Sequence, residues 1–342
     1  MLPVFDGHND ALTREDAADF ATGRAGGHLD LPRARAGGLA GGIFALFTPT
    51  PGDDADHFTV GPDGSMEADL AAPIGQEIAA PAATRAAGRL LALERDGHVR
   101  VVRRPGELDA AREDGVLAAV MHLEGAEAID PGLEALELWH AAGLRSLGPV
   151  WSRPNAFAHG VPFAFPHSPD TGPGLTKPGG ALVRRCAELG IAVDVSHLNE
   201  AGFWDVARLD GAPLIASHSA VHALCASTRN LTDAQLDAIG SSGGLVGIVF
   251  AAPFVRSDGA DDADTPLEAI VEHVRYVADR IGVEHVALGS DFDGATIPNE
   301  LGDVAGLPRL LDALSGAGFG DADLRAIAWD NWRRVLERAW GA

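Results

Sequence analysis

Eight short apolar runs, alternating with amphipathic segments along 342 residues, predict a (β/α)8 TIM barrel in the α/β class. The runs lie at 3–6, 43–47, 118–124, 144–151, 191–197, 214–218, 245–250 and 285–291. Most are near-continuous apolar stretches, which is how a strand buried on both faces of a parallel sheet reads. The length agrees, since such barrels run to ~250 residues and to ~400 with insertions. No linker, composition shift or solenoid-period repeat divides the chain, so one barrel domain over 1–342 is expected.

The segments between the runs carry helix signals. An Ala/Leu/Arg-rich stretch at 68–96 stops before Gly97, 131–142 precedes Gly143, and 177–189 ends at Gly190, each glycine a natural C-terminal stop. Asn199 caps 199–209, Thr232-Asp233 opens 232–239, and Thr265-Pro266 opens 265–281 as cap and first-turn proline. Helices at 304–314 and 321–339 close the chain. Two segments, 48–64 and 153–174, are rich in Gly, Pro and Asp and too long for ordinary connections. Each follows a strand, which places it on the C-terminal rim of a barrel, where substrate lids sit. The Gly240–Gly244 run precedes the seventh strand, on the opposite rim, and reads as a turn rather than a phosphate cradle.

Composition narrows the function classes. Hydrophobic residues make up 46% and charged residues 22%, which excludes a largely disordered chain. The formal charge is −23 at pH 7, so nucleic acid or an acidic membrane surface would meet a repulsive field. The start, MLPVFDGHND, has neither a basic n-region nor an apolar run, and no stretch reaches the ~18 apolar residues of a membrane span. Cys186 and Cys225 lie in no CxxC pattern and read as buried thiols. A cytoplasmic protein acting on a small molecule is expected.

The strand ends carry the chemistry. The first run ends Asp6-Gly7-His8-Asn9-Asp10, and in extended chain His8 and Asp10 share a face and can grip one cation. The third ends in Glu124, the fifth in Ser196-His197, the sixth in Ser217-His218 and the eighth in Ser290-Asp291. Five of eight strands thus end in a His or carboxylate on the catalytic rim. Imidazole and carboxylate ligands without thiolate suit Zn²⁺, with Mn²⁺ or Co²⁺ as substitutes. Three histidines with two or three carboxylates exceed what one open zinc needs, so two ions sharing a bridging carboxylate fit better. His122, two residues before Glu124, reads as an interior polar residue.

The segments DGHND, LEGAEAI, DVSHLNE, SHSAVHALCASTRNLTD and GSDFDGA occur in this order, and the chain resembles the membrane (renal) dipeptidase family of zinc metallopeptidases, within the amidohydrolase-type barrels. The resemblance runs from residue 3 to about 338. It implies a binuclear zinc dipeptidase acting on free dipeptides and tolerating a D-residue at the C-terminal position, in some members also hydrolysing a β-lactam. By position it implies that His8 and Asp10 hold the first zinc, His197 and His218 the second, and Glu124 bridges them. Asp291 matches the aspartate that handles the proton of a metal-bridged hydroxide attacking the carbonyl. Arg229 matches the arginine that pairs with the terminal carboxylate, a task for a guanidinium fork. Asn9 and Asn230 are candidates for orienting ligands or substrate. Homodimerisation is also implied.

One position departs from the family. Trp151 stands where the strand-four motif usually has a histidine that polarises the scissile carbonyl. Indole offers one N–H donor and no base. His159 or His167 on the following loop could substitute, or the second zinc alone could polarise the carbonyl. Two other readings remain at this stage: another amidohydrolase-type hydrolase, acting on a β-lactam, lactone or N-acyl amino acid, and a non-catalytic metal-binding barrel.

Overall fold

The computed structural model describes residues 2–51, 59–61, 65–68, 70–209 and 211–341. Eight parallel strands follow the eight predicted runs: β1 (Val4–Asn9), β2 (Leu39–Ala45), β3 (Leu117–Glu124), β4 (Leu144–Gly148), β5 (Ala192–Val193), β6 (Ile215–Ser219), β7 (Leu245–Ile248) and β8 (Val286–Leu288). Ladders join β1 through β5 in sequence order and β6 through β8 likewise. Two seams close the ring. Asp194 bridges to Ile215, and Val195 N–H donates to the Ile215 carbonyl at 2.8 Å. Asn9 bridges to Phe292, with Asp10 N–H donating to the Phe292 carbonyl (2.8 Å) and Asp291 N–H to that of His8 (3.0 Å). The barrel therefore closes through the residues expected to carry the chemistry.

Helix ends follow the local signals. Lys177–Leu189 starts at Thr176, whose side chain accepts from Gly179 N–H, and stops at Gly190 with φ 65°. Thr232 and Gln235 form a reciprocal capping box on Asp233–Ser242. Asn199 Oδ1 accepts from Gly202 N–H at 3.0 Å at the start of Glu200–Leu209.

Three expectations need correction. The helix placed at 68–96 starts only at Gln76, because Met66–Ala68 is a strand paired antiparallel with Phe163–Phe165. The rim segment 153–174 thus contains a strand, and the two rim segments share a small sheet; positions 52–58 and 62–64 of 48–64 lie outside the described residues. The helix placed at 321–339 is interrupted at Ala326–Asp330 by a π-helical turn. Short helices at Leu31–Gly37 and Glu107–Glu113 and an edge strand at Val99–Val101 were not anticipated.

That π turn seats an aromatic plug. Trp329 and Trp332 are buried with Phe5, Ile43, Val120, Ile215 and Leu245 at the barrel floor. Trp332 Nε1 donates to the Leu288 carbonyl at 2.9 Å, so the indole satisfies its polar atom while filling the interior. It fits because Gly7 and Gly247 line that wall: a Cβ on Gly247 would lie 3.0 Å from the Trp332 ring. The lower barrel is thereby filled by apolar side chains, and the candidate ligands lie above them at its C-terminal mouth. No helix among the described residues is long and apolar enough to cross a membrane.

Candidate metal centre

Five strand ends deliver their side chains to one spot at that mouth. His8 Nε2 lies 3.4 Å from Asp10 Oδ2 and 3.6 Å from Glu124 Oε2. On the other side, Glu124 Oε1 lies 3.1 Å from His197 Nε2 and 3.6 Å from His218 Nε2. The two oxygens of one carboxylate therefore face two separate donor sets. Among the described residues, three groups have ligand atoms close enough for a cation: His8–Asp10–Glu124, Glu124–His197–His218 and His8–His218–Asp291. His197 and Asp291 adopt left-handed backbone, φ 64° and 63°, a conformation uncommon for residues with a Cβ and often found at functional sites.

These donors fit a cation. His197 Nε2 and His218 Nε2 are 3.0 Å apart. Arg229 Nη2 lies 3.2 Å from His197 Nε2 and can donate to it only if that nitrogen carries a lone pair. Burial, with the charges of Arg229 and His8 adding to it, holds both imidazoles well below the usual histidine range, so they stay neutral. His8 behaves oppositely: burial opposes its charged form, but Glu124 and Asp10 outweigh burial and hold it well above that range. Both ring nitrogens of His8 and Asp10 Oδ1 are buried without a hydrogen-bond partner. Burial also raises Glu124 to about 7 and Asp291 to about 6, with Asp10 adding to both. A pocket of carboxylates and unprotonated imidazoles that strains toward extra positive charge matches the chemistry of a divalent metal.

The other predicted residues divide. Arg229 is buried over the Phe254 ring (5.4 Å), donates to the His218 carbonyl at 3.0 Å, and keeps a buried Nε without a partner. Trp151 packs 5.8 Å from the His197 ring and 5.0 Å from Phe47, at the edge of the centre. Asn230 does not face the centre with its donors: Nδ2 is spent on the carbonyls of Cys225 and Phe254, bracing the loop that carries Arg229. Asn9 likewise ties β1 to Asp6 and the Ile43 carbonyl. His159 belongs to none of the three ligand groups and lies against Gly172 in its loop. His167 is exposed and turns its Nδ1 to the Ser168 carbonyl. His122, fully buried, has Nδ1 2.9 Å from Ser146 Oγ, the interior role expected.

Sequence reasoning passed over the residues beneath the candidate ligands. Asp6, raised by burial to about 6, accepts from Ser290 N–H (2.7 Å) and Ser290 Oγ (2.9 Å) and so joins β1 to β8. Asp194 does the same between β5 and β6. Ser152 Oγ lies 2.9 Å from His197 Nδ1. Arg153 is fully buried and binds Glu127 Oε1 (3.0 Å), Thr50 Oγ1 (2.7 Å) and the Thr48 carbonyl (3.1 Å), clamping the second rim segment to the first. Each Asp stands two or three residues before a candidate ligand histidine in the same strand end, which is the one signal that could have found them.

Known proteins share this architecture. A metallo peptidase from Rhodobacter sphaeroides, liganded with a phosphinate mimic of the dipeptide L-Ala-D-Ala, superposes with a TM-score of 0.95 at 49% identity, over 99% of each chain. The dipeptidase AC, a metallo peptidase of family M19, superposes with a TM-score of 0.94 at 49% identity, over 100% of this chain and 99% of that one. An uncharacterized protein from the pqqA 5' region of Klebsiella pneumoniae is 50% identical over 244 residues, 71% of this chain and 90% of that protein. The description of the membrane dipeptidases (peptidase family M19) matches residues 1–340. With this barrel and its cluster of metal-competent side chains, the chain belongs to the membrane dipeptidase family, peptidase family M19, a family of metallo-dipeptidase enzymes.

Proposed function

We propose that the chain hydrolyses the amide bond of free dipeptides with two zinc ions at this centre, and accepts a D-residue at the C-terminal position. The observation that carries the two-metal reading is Glu124, whose Oε2 faces His8 and Asp10 while its Oε1 faces His197 and His218. When bound, the ions would polarise the scissile carbonyl and make water acidic enough to attack near neutral pH. His8 and Asp10 would hold one ion, His197 and His218 the other, and Glu124 both.

The remaining groups handle protons and orientation. Asp291, raised by burial to about 6, can exchange a proton at its carboxylate near neutrality, so it would take the proton of the attacking water and return it to the leaving amine. Arg229 is held over the Phe254 ring with its Nε free of partners, a donor suited to the substrate's terminal carboxylate. Trp151 would border the substrate as an apolar wall with a single N–H donor. Support for the D-residue comes from the Rhodobacter sphaeroides protein that carries an L-Ala-D-Ala mimic.

The test is hydrolysis of paired dipeptides, L-X-L-Y against L-X-D-Y, by zinc-loaded protein with metal quantified in the same sample. Cleavage of both with two zincs per chain is expected. Two zincs without cleavage of any dipeptide would overturn the substrate reading and turn the search to β-lactam, lactone and N-acyl substrates. One zinc per active chain would overturn the binuclear reading.

A further inference from the structure

His218 ends a hydrogen-bonded chain that starts inside the barrel wall. Asp194, buried just past β5, accepts at Oδ1 from the N–H groups of Ser196 (3.0 Å) and Ser217 (2.9 Å). Its Oδ2 lies 2.5 Å from Ser217 Oγ. A carboxylate only accepts, so the Ser217 hydroxyl proton points at Asp194. The Ser217 oxygen, 2.7 Å from His218 Nδ1, is left as an acceptor, and Nδ1 must carry the imidazole proton. The Nε2 lone pair then faces His197 and Glu124. His197 has no such backing: its Nδ1 meets Ser152 Oγ at 2.9 Å, and among the described residues no carboxylate orders that hydroxyl.

We propose that Asp194 and Ser217 are positioning residues that fix the tautomer of His218 and thereby control occupancy of the second metal position, leaving the first to His8 and Asp10. This rests on the two-metal reading above. It makes the two positions unequal in a definite way: a change at Asp194, which offers no atom to either ion, weakens one and spares the other.

Asp194→Asn tests it sharply. The asparagine oxygen keeps both backbone N–H bonds, so its NH₂ turns toward Ser217 Oγ. The serine must then accept from the amide and donate to His218 Nδ1, which moves the imidazole proton to Nε2 and blocks the ligand lone pair. Metal-free protein is titrated with Zn²⁺ against a competing chelator, and ¹⁵N-histidine spectra of the metal-free form report the tautomers. Wild type should take up two ions. D194N should bind one with wild-type affinity and the other on the order of 10–100-fold more weakly, and one histidine should switch from Nδ1–H to Nε2–H. Two ions at wild-type affinity in D194N, or unchanged tautomers, overturn the proposal. If D194N does not fold, Ser217→Ala decides, since it leaves the backbone bonds to Asp194 intact. It should weaken one ion about tenfold, and wild-type affinity for both overturns the proposal. The wild-type titration separates the two failures: one ion there defeats the two-metal reading itself, whereas two ions there and two in the variant defeat only this inference.

Discussion

Gly294 is a tight point of the centre and gives it a demanding test. It follows Asp291 by three residues, and its Cα packs between two carboxylates. A methyl group in place of its hydrogen would stand 2.5 Å from Asp291 Oδ1 and closer still to Asp10 Oδ2, where ordinary contact begins at 3.4 Å. Its backbone does not require glycine, so Gly294→Ala acts through space alone. Both carboxylates must retreat by about 1 Å, a displacement that costs on the order of 10²-fold in rate when it falls on reacting groups. Asp10 is a candidate ligand and Asp291 the candidate proton carrier, so metal uptake and turnover should fall together. The fold should survive, because the displaced atoms are carboxylate tips rather than core carbons. The assay is kcat/KM on a dipeptide, zinc content and thermal melting of one preparation. Full turnover with full zinc in G294A would refute the placement of these two carboxylates at the reacting centre.

Asp291→Asn should retain metal and lose turnover by about 10²–10⁴-fold, the usual worth of a general base, as measured by kcat beside zinc content. Arg229→Lys keeps a charge but loses the planar fork, so KM for dipeptides should rise about 10–100-fold while substrates without a free carboxylate are little affected; steady-state kinetics on both classes checks it. His273 supplies a pH prediction away from the metal centre. Burial pushes it from 6.5 down to about 4, with Nδ1 accepting from Val221 N–H (3.0 Å) and Nε2 donating to the Val255 carbonyl (3.1 Å). A depressed folded-state value means its contribution is complete above pH 6.5 and is lost as pH falls through 4, about 3 kcal/mol in all. Denaturant melts across that window should therefore show wild type losing about 3 kcal/mol more than His273→Asn, and parallel pH curves would remove His273 from the acid limb.

What was legible in the sequence was what is encoded locally. All eight barrel strands are legible because a strand covered on both faces must be apolar throughout, and the candidate ligands are legible because they follow those runs directly. Helix ends with their own stop or cap, such as Gly190 and Thr232, also came through. The misses depend on contacts between distant segments. The start of the helix placed at 68–96 failed because Met66–Ala68 is held extended by Phe163–Phe165, almost a hundred residues on. Glu127 and Arg153 look like ordinary rim charges until the fold buries them against each other. Asp194 was in plain view within DVSH, yet its role exists only because β5 lies against β6. That Asn230 spends its amide nitrogen on the Cys225 and Phe254 carbonyls is likewise invisible in the motif, because both carbonyls are brought to it by the fold.

The end of β4 shows how the chain can manage with Trp151 where the resemblance leads one to expect a histidine. Three consecutive residues divide the work there. Arg153, fixed by Glu127, Thr48 and Thr50, lies 5.5 Å from the Trp151 ring and 5.8 Å from that of Phe47, so the indole is held between a buried cation and an aromatic neighbour. Ser152 turns inward to His197 Nδ1, which binds the same turn to the metal centre. A histidine at 151 could have shared proton handling; an indole cannot, since its only polar atom is a donor. On the proposed mechanism that leaves Asp291 as the proton carrier on the rim, and it explains why a carboxylate raised to about 6, poised near neutrality, stands at the end of the last strand. The exchange of imidazole for indole would then cost little in proton transfer and act chiefly on which substrate side chains the aromatic wall of Trp151, Phe47 and Phe163 admits.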